Sequence, residues 1–242
     1  MKFIVKLKRM PNLILSLETS SAICSVALHR LEDGALVGQT ELRLEKSHSS
    51  HLSLLVSQLL ENSQHTLQDV AAVAVSDGPG SYTGLRIGAA AAKGLCFALD
   101  IPLVAVSTLR ALSWQIASVT ARPETLLFCP MLDARRMEVY AAIYTHDGQE
   151  VLAPAPLVLD SATLAEQLTH HQLLCFGNGA AKFQPLVVNN ANASFLVGIE
   201  PSAVAVGALA VEAYRHQEFR DVAYYEPFYL KEVYTTTPKL RA

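Results

Sequence analysis

One stretch, Ser76 to Gly88 (SDGPGSYTGLRIG), constrains this chain more than any other. Ahead of it runs Val70-Ala71-Ala72-Val73-Ala74-Val75, which is short, apolar and valine-rich. Behind it an alanine-rich stretch reaches about Leu99. That order predicts a buried strand, a glycine-rich turn and a helix. Gly78, Gly80 and Gly84 admit backbone angles that a side chain forbids, and Pro79 fixes one φ between two of them. Ser81 or Thr83 is placed to cap the helix. A helix start behind such a turn presents unpaired N–H groups and a partial positive charge, so it suits an anion. It equally suits a tight strand-to-helix connection with no ligand. No Gly-Lys-Ser/Thr follows, which excludes a P-loop, and Gly78-x-Gly80-x-x-x-Gly84 misses the dinucleotide pattern by one residue.

The helix behind the turn is unusually bare, with Gly84, Gly88, Ala91, Ala92 and Gly94 along it. Glycine inside a helix costs up to about 1 kcal/mol against alanine. Close approach of another backbone offsets that cost, either from the chain's own sheet or from a helix of another subunit, or from both on different faces. Upstream, His48 to Gln64 reads as a helix with Ser47 as its cap. Leu52, Leu55, Val56, Leu59 and Leu60 fall at the spacing of one face, and Leu54, off that stripe, widens it.

In chain order, Leu13–Glu18, Ile23–His29 and Ala35–Leu44 read as strands joined by short connections, hence an antiparallel meander. The His48 helix, strand Val70–Val75, the bare helix, strand Ile101–Val106 and a helix to about Val119 follow. Leu126–Leu132, Met137–Tyr144 and a strand ending near Leu159 form a second meander. A short helix over Ser161–Leu168, strand Leu173–Phe176, the turn Gly177-Asn178-Gly179, a helical stretch and a helix over Ser202–His216 complete the chain. A three-strand meander followed by helix and strand thus occurs twice, a duplication visible in element order rather than in residues. The expected divisions are an N-terminal extension at 1–11, a first lobe at 12–108 and a second lobe with a C-terminal tail at 109–242.

Composition narrows the class. Of 242 residues 51% are apolar and 17% charged, which marks a globular chain. A net charge of -3 argues against a protein that grips nucleic acid unaided. Cys24, Cys96, Cys129 and Cys175 stand far apart without a C-x-x-C pair; buried reduced thiols fit the cytoplasm. No apolar run is long enough to span a membrane, and that of the basic Met1–Met10 is too short for a signal peptide.

Several groupings could carry chemistry. Glu18-Thr19-Ser20-Ser21 follows the first strand, but no glycine lets its backbone crowd a phosphate. His48 and His51 are three apart, short of the four-residue spacing usual for helical zinc ligands. Gly80-Ser81-Tyr82-Thr83-Gly84 sets a serine among glycines at the wrong spacing for a nucleophile elbow. Asp133, Arg135, Arg136 and Glu138 crowd a hairpin turn, and a solvated turn is the default reading. Tyr224, Tyr225, Phe228, Tyr229 and Tyr234, with Lys231, Lys239 and Arg241, form a tail that either straps the core, docks a partner or stacks bases.

SDGPGSYTGLRIGAAAAKGL, LILSLETSSAICSVAL at Leu13–Leu28 and IPLVAVSTLRALS at Ile101–Ser113 together resemble the TsaB (YeaZ) family. The resemblance is dense from Leu13 to Ser113 and resumes at MLDARRMEVYAAIY near Met131 and PFYL near Pro227. It implies an α/β fold of duplicated ribonuclease-H-like lobes, the actin/Hsp70/sugar-kinase superfold, with mixed sheets flanked by helices. It also implies a non-catalytic subunit that dimerises when alone and pairs with TsaD, the subunit that threonylcarbamoylates the adenosine beside the tRNA anticodon. A TsaE-like ATPase joins the same complex, and tRNA is met indirectly. The family pairs through the two helices of the first lobe, which carries the interface onto Leu52, Leu55, Val56, Leu59, Gly84, Gly88, Ala91 and Ala92. No catalytic or metal residue and no cofactor is expected in the isolated chain, a nucleotide being reserved for the interface with TsaD. Kinases of the superfold carry Asp-x-Gly where this chain has Glu18-Thr19, and TsaB-like proteins usually have Asp-Thr. TsaD has three residues between its two metal-binding histidines, whereas His48 and His51 have two between them. The alternatives are an ATPase or kinase of the same superfold and, more weakly, an M22-type peptidase.

Overall fold

The structure, a computed structural model, describes residues 10–44, 47–121 and 125–231. The expected extension at 1–11 therefore lies outside the described residues except for Met10 and Pro11, as do Tyr234, Lys239 and Arg241.

The chain forms two five-stranded sheets. Strands β1 (Leu13–Glu18), β2 (Cys24–Arg30), β3 (Leu36–Leu42), β4 (Val70–Gly78) and β5 (Leu103–Ser107) line up as β3-β2-β1-β4-β5. Strands β6 (Leu126–Asp133), β7 (Glu138–Tyr144), β8 (Glu150–Val158), β9 (Gln172–Phe176) and β10 (Ala193–Leu196) line up as β8-β7-β6-β9-β10. In both, three antiparallel strands are joined to two parallel ones, so the duplication expected from element order is present in the topology.

The alternation along β1 decides which helix lies where. Leu13, Leu15 and Leu17 turn to α1 (His48–Asn62) and α2 (Tyr82–Leu99). Ile14, with Ala72, Ala74, Val104 and Val106, turns to α6 (Ala203–Arg215), which supplies Ala205, Val206, Ala210 and Val211. Burial on both faces is why β1 and β4 read as continuous apolar runs. In the second sheet, Met131, Val139 and Ile143 pack with Leu168, on α4 (Ala165–His170), and with Phe183, on α5 (Ala180–Phe183). The other face packs Phe128, Tyr144 and Phe176 against Leu109, Leu112 and Ile116 of α3 (Thr108–Ala117).

The helices that end the two halves are thus exchanged. α3 covers the second sheet, α6 covers the first, and the two touch each other. Strands β1–β5 precede residue 108 and β6–β10 follow it, while α6, after the second sheet in the chain, packs on the first, where Ile14, Ala72 and Ala74 need an apolar cover.

Local departures from expectation have local causes. Ser47 does not cap α1; its hydroxyl donates to the Leu44 carbonyl at 2.6 Å. Helix α1 stops at Asn62, two residues early, and Gln64 is left-handed at φ 58°. The helix expected at Ser161 begins at Ala165, because Asp160 folds residues 160–163 into a turn by accepting from the Ala162 amide and the Thr163 hydroxyl. The helical stretch expected after Gly179 is α5 with the helical turn Gln184–Leu186; the unexpected element is strand β10 beyond it, pairing in parallel with β9.

The tail straps the first lobe. The Arg220 amide donates to the Leu103 carbonyl at 2.8 Å, and Lys93 donates to the carbonyls of Ala223 and Tyr225 at 3.1 and 3.0 Å. The Tyr225 hydroxyl donates to Asp77 at 3.0 Å, and the Phe228 amide to the Asp77 carbonyl at 2.7 Å. Tyr229 lies against Tyr82, ring centres 5.0 Å apart.

Candidate functional site

The glycine turn is narrower than its sequence suggests. β4 continues through Ser76 and Asp77 to Gly78, and α2 starts at Tyr82 with Ser81 as its cap, the hydroxyl accepting from the Gly84 amide at 3.3 Å. Thr83 is exposed and takes no capping bond. The Ser81 amide donates to the Ser20 carbonyl at 2.7 Å. A Cβ on Gly80 would meet that same carbonyl, a Cβ on Gly84 the Thr19 carbonyl, and a Cβ on Gly88 the Thr19 hydroxyl. The loop after β1 therefore lies directly on the start of α2. The turn is a tight intramolecular connection. Gly84, Gly88 and Ala92 face their own chain rather than a partner. The other lobe repeats the arrangement: a Cβ on Gly177 or Gly179 would run into the backbone of Met131 or Leu132.

Glu18 ends β1 beneath this turn and is wholly buried. One carboxyl oxygen accepts from the Ser20 amide at 2.6 Å; the other has no partner. Burial pushes the carboxyl above its ordinary value of 4.5, with the Ser20 hydrogen bonds pulling the other way. The folded chain thus holds this proton more tightly than the unfolded chain. The stabilisation is complete below the ordinary carboxyl value and is lost as pH rises through the folded one. Glu18→Gln removes that loss. Its melting temperature is expected to exceed that of the unsubstituted chain at pH 8, the gap closing toward pH 4; equal melting curves at both pH values would count against a proton held there.

The histidines singled out in the sequence bond locally. His48 is buried with its Nε2 3.4 Å from the Ile23 carbonyl, and His51 Nδ1 lies 2.8 Å from the Ser50 hydroxyl. Among the described residues, no three His, Cys, Asp or Glu side chains are grouped as metal ligands. Nor does a histidine bond to Ser81.

An open feature lies between α1 and α2: an apolar groove of about 740 Å³. Leu17 reaches it from the sheet, Leu52 and Val56 line one wall, and Ala90, Ala91, Gly94 and Leu95 line the other. A Cβ on Gly94 would meet nothing, in contrast to the glycines at the start of the helix. Of the eight interface positions carried over by resemblance, Leu52, Val56 and Ala91 border this groove. Leu55, Leu59, Gly84, Gly88 and Ala92 are buried in the chain itself. Ala90, Gly94 and Leu95, outside those eight positions, also border the groove. Ala90 and Gly94 are an i, i+4 pair of small residues, whereas Leu95 shares the face of Gly84 and Gly88. Leu54 on α1 and Phe97 on α2 are exposed as well, at 49% and 86%.

Two mixed sheets of one topology, with their closing helices exchanged, define a protein of the duplicated ribonuclease-H-like class shared by actin, Hsp70 and sugar kinases. The fold alone is shared with the Clostridium difficile activator of 2-hydroxyisocaproyl-CoA dehydratase, 9% identical at a TM-score of 0.50 over 85% of this chain and 96% of that one. Residues 42–234 match the family model described as TsaD, tRNA N6-adenosine threonylcarbamoyltransferase. The chain is 30% identical over 231 residues to the Haemophilus influenzae tRNA threonylcarbamoyladenosine biosynthesis protein TsaB, covering 92% of this chain and 94% of that one. It is 37% identical to the Bacillus subtilis protein of the same name over 133 residues, about half (55%) of each chain. A Pseudomonas aeruginosa structure described as similar to peptidase YeaZ superposes at a TM-score of 0.74 with 28% identity, covering 91% of this chain and all of that one. The chain belongs to the TsaB (YeaZ) family.

Proposed function

We propose that this chain serves tRNA threonylcarbamoyladenosine biosynthesis as a non-catalytic subunit that seats a TsaD-like catalytic subunit on its α1–α2 groove. The observation that carries this reading is the groove: an apolar channel of about 740 Å³ left open between two helices. An apolar channel of that size seeks cover. The name of the full-length Haemophilus influenzae relative supports the pathway. The close packing of the Thr19–Ser20 loop on Gly80 and Gly84, and of Met131 on Gly177, is compatible with a supporting role. In this reading the groove is covered by a second copy of the chain until the catalytic subunit displaces it. A TsaE-like ATPase joins the assembly, tRNA is reached through it in the cytoplasm, and any nucleotide belongs to the interface with the catalytic subunit.

Two measurements test the reading. Depleting the protein is expected to lower the threonylcarbamoyladenosine content of cellular tRNA several-fold, and an unchanged content rules out the pathway role. Titrating the isolated chain with Mg-ATP is expected to give no saturable binding. Micromolar binding with turnover would replace the non-catalytic reading with that of an ATPase of the same fold.

A further inference from the structure

The β6–β7 hairpin carries an arrangement that the groove does not use. Its tip holds Arg135 at φ 69° and Arg136 at φ 48°, two consecutive non-glycine residues in the left-handed region. That backbone favours glycine, asparagine or aspartate, so arginine at both positions is a local cost to stability. The rest of the turn is well supported. Asp133 accepts from the Arg135 amide at 2.6 Å and from Lys182 at 2.7 Å; the Asp133 amide donates to Asn178 at 2.8 Å; the Ala134 amide donates to the Glu138 carbonyl at 3.1 Å. The geometry is therefore held by its neighbours rather than by the tip residues themselves.

Charge points the same way. Lys182 is neutralised by Asp133 and Lys231 by Glu138. Arg135 and Arg136 are exposed, and neither has a carboxylate partner among the described residues. A chain of net charge -3 thus keeps two guanidiniums side by side on one tip with no carboxylate partner among the described residues. Tyr140 stands behind them, with the Lys231 ammonium 5.9 Å from its ring centre. Exposed guanidiniums pair in forked fashion with phosphate oxygens and, unlike an ammonium, fix the direction of approach.

We propose that this tip contacts the sugar-phosphate backbone of tRNA held by the assembled complex, Arg135 and Arg136 each meeting a phosphate. The inference rests on the role in tRNA modification proposed above and adds a direct RNA contact to it. Neither arginine lines the α1–α2 groove.

The test replaces both residues by ones the backbone prefers, Arg135→Asn with Arg136→Gly, in the complex with the catalytic subunit. Binding of an unmodified tRNA transcript is followed across a salt series. Melting of the free variant is expected to be unchanged or higher, and co-purification with the catalytic subunit intact. Affinity for the transcript is expected to fall about tenfold or more, with the salt slope reduced by about 2, about one for each lost phosphate contact. The Arg135→Lys, Arg136→Lys variant should recover most of both. Unchanged affinity and slope, while the unsubstituted complex binds the transcript, overturns the RNA contact and leaves the pathway role standing. Lost co-purification with unchanged melting also overturns it, because the arginines then pair with protein carboxylates. An unsubstituted complex that binds no transcript at all overturns both readings together.

Discussion

Gly84→Ala is expected to destabilise the isolated chain by about 3 kcal/mol, the upper part of the range for forcing extra atoms into a packed site. For a chain of this size that lowers the melting temperature by about 10 °C. The added methyl meets the Thr19 carbonyl oxygen, which belongs to backbone rather than to a side chain that could swing aside. The backbone there is pinned on both sides: the Ser20 carbonyl takes the Ser81 amide and the Ser20 amide binds Glu18. Relief would require the first turn of α2 to lift from β1. A calorimetric scan decides the matter; a melting point within a degree of the unsubstituted chain would mean that the loop after β1 does not rest on the helix.

Ten residues along the same helix, the same residue type has the opposite expected behaviour. At Gly94 a side chain meets nothing, and arginine is a far better helix former than glycine. Gly94→Arg is therefore expected to leave the free chain equally stable, or more stable by about 0.7 kcal/mol. It also sets a long charged side chain in the groove lined by Leu52, Val56 and Ala91. Pairing with the catalytic subunit, and self-association, are expected to weaken by a hundredfold or more, roughly 2.7 kcal/mol, because the side chain fills the groove and the partner would have to bury its charge. Retained co-purification would move the interface off the groove. Gly88 and Ala92, natural first choices for such a test from sequence, would confuse the outcome. Both are buried against their own chain, so a large residue there damages the fold before it reaches any partner.

That contrast marks how far the sequence could be read. Strand and helix types were legible because apolar runs such as Val70–Val75 and stripes such as Leu52/Val56/Leu59 have one good structural interpretation. The bareness of α2 was equally legible, but not which of its faces met what. Glycine records that something comes close without naming it, and the Thr19–Ser20 backbone that takes the place lies more than sixty positions away. The exchange of α3 and α6 was hidden for a related reason. Alanines and valines on α6 fit either sheet, and only Ile14, Ala72 and Val104 on the far face of the first one settle the matter. The hairpin at Arg135 was visible as a charged turn, whereas its left-handed backbone was not, since nothing in Ala-Arg-Arg-Met announces it.

The exchange of helices has a consequence for how the polypeptide is made. When the ribosome has delivered residues 13–107, every strand of the first sheet exists, yet the face bearing Ile14, Ala72, Ala74 and Val104 lacks its cover. That cover emerges about a hundred residues later, at Ala203–Arg215. Domains that fold as they emerge usually finish in order. Here the first half must wait, its hydrophobic flank open to chaperones, until Ala203–Arg215 have been translated.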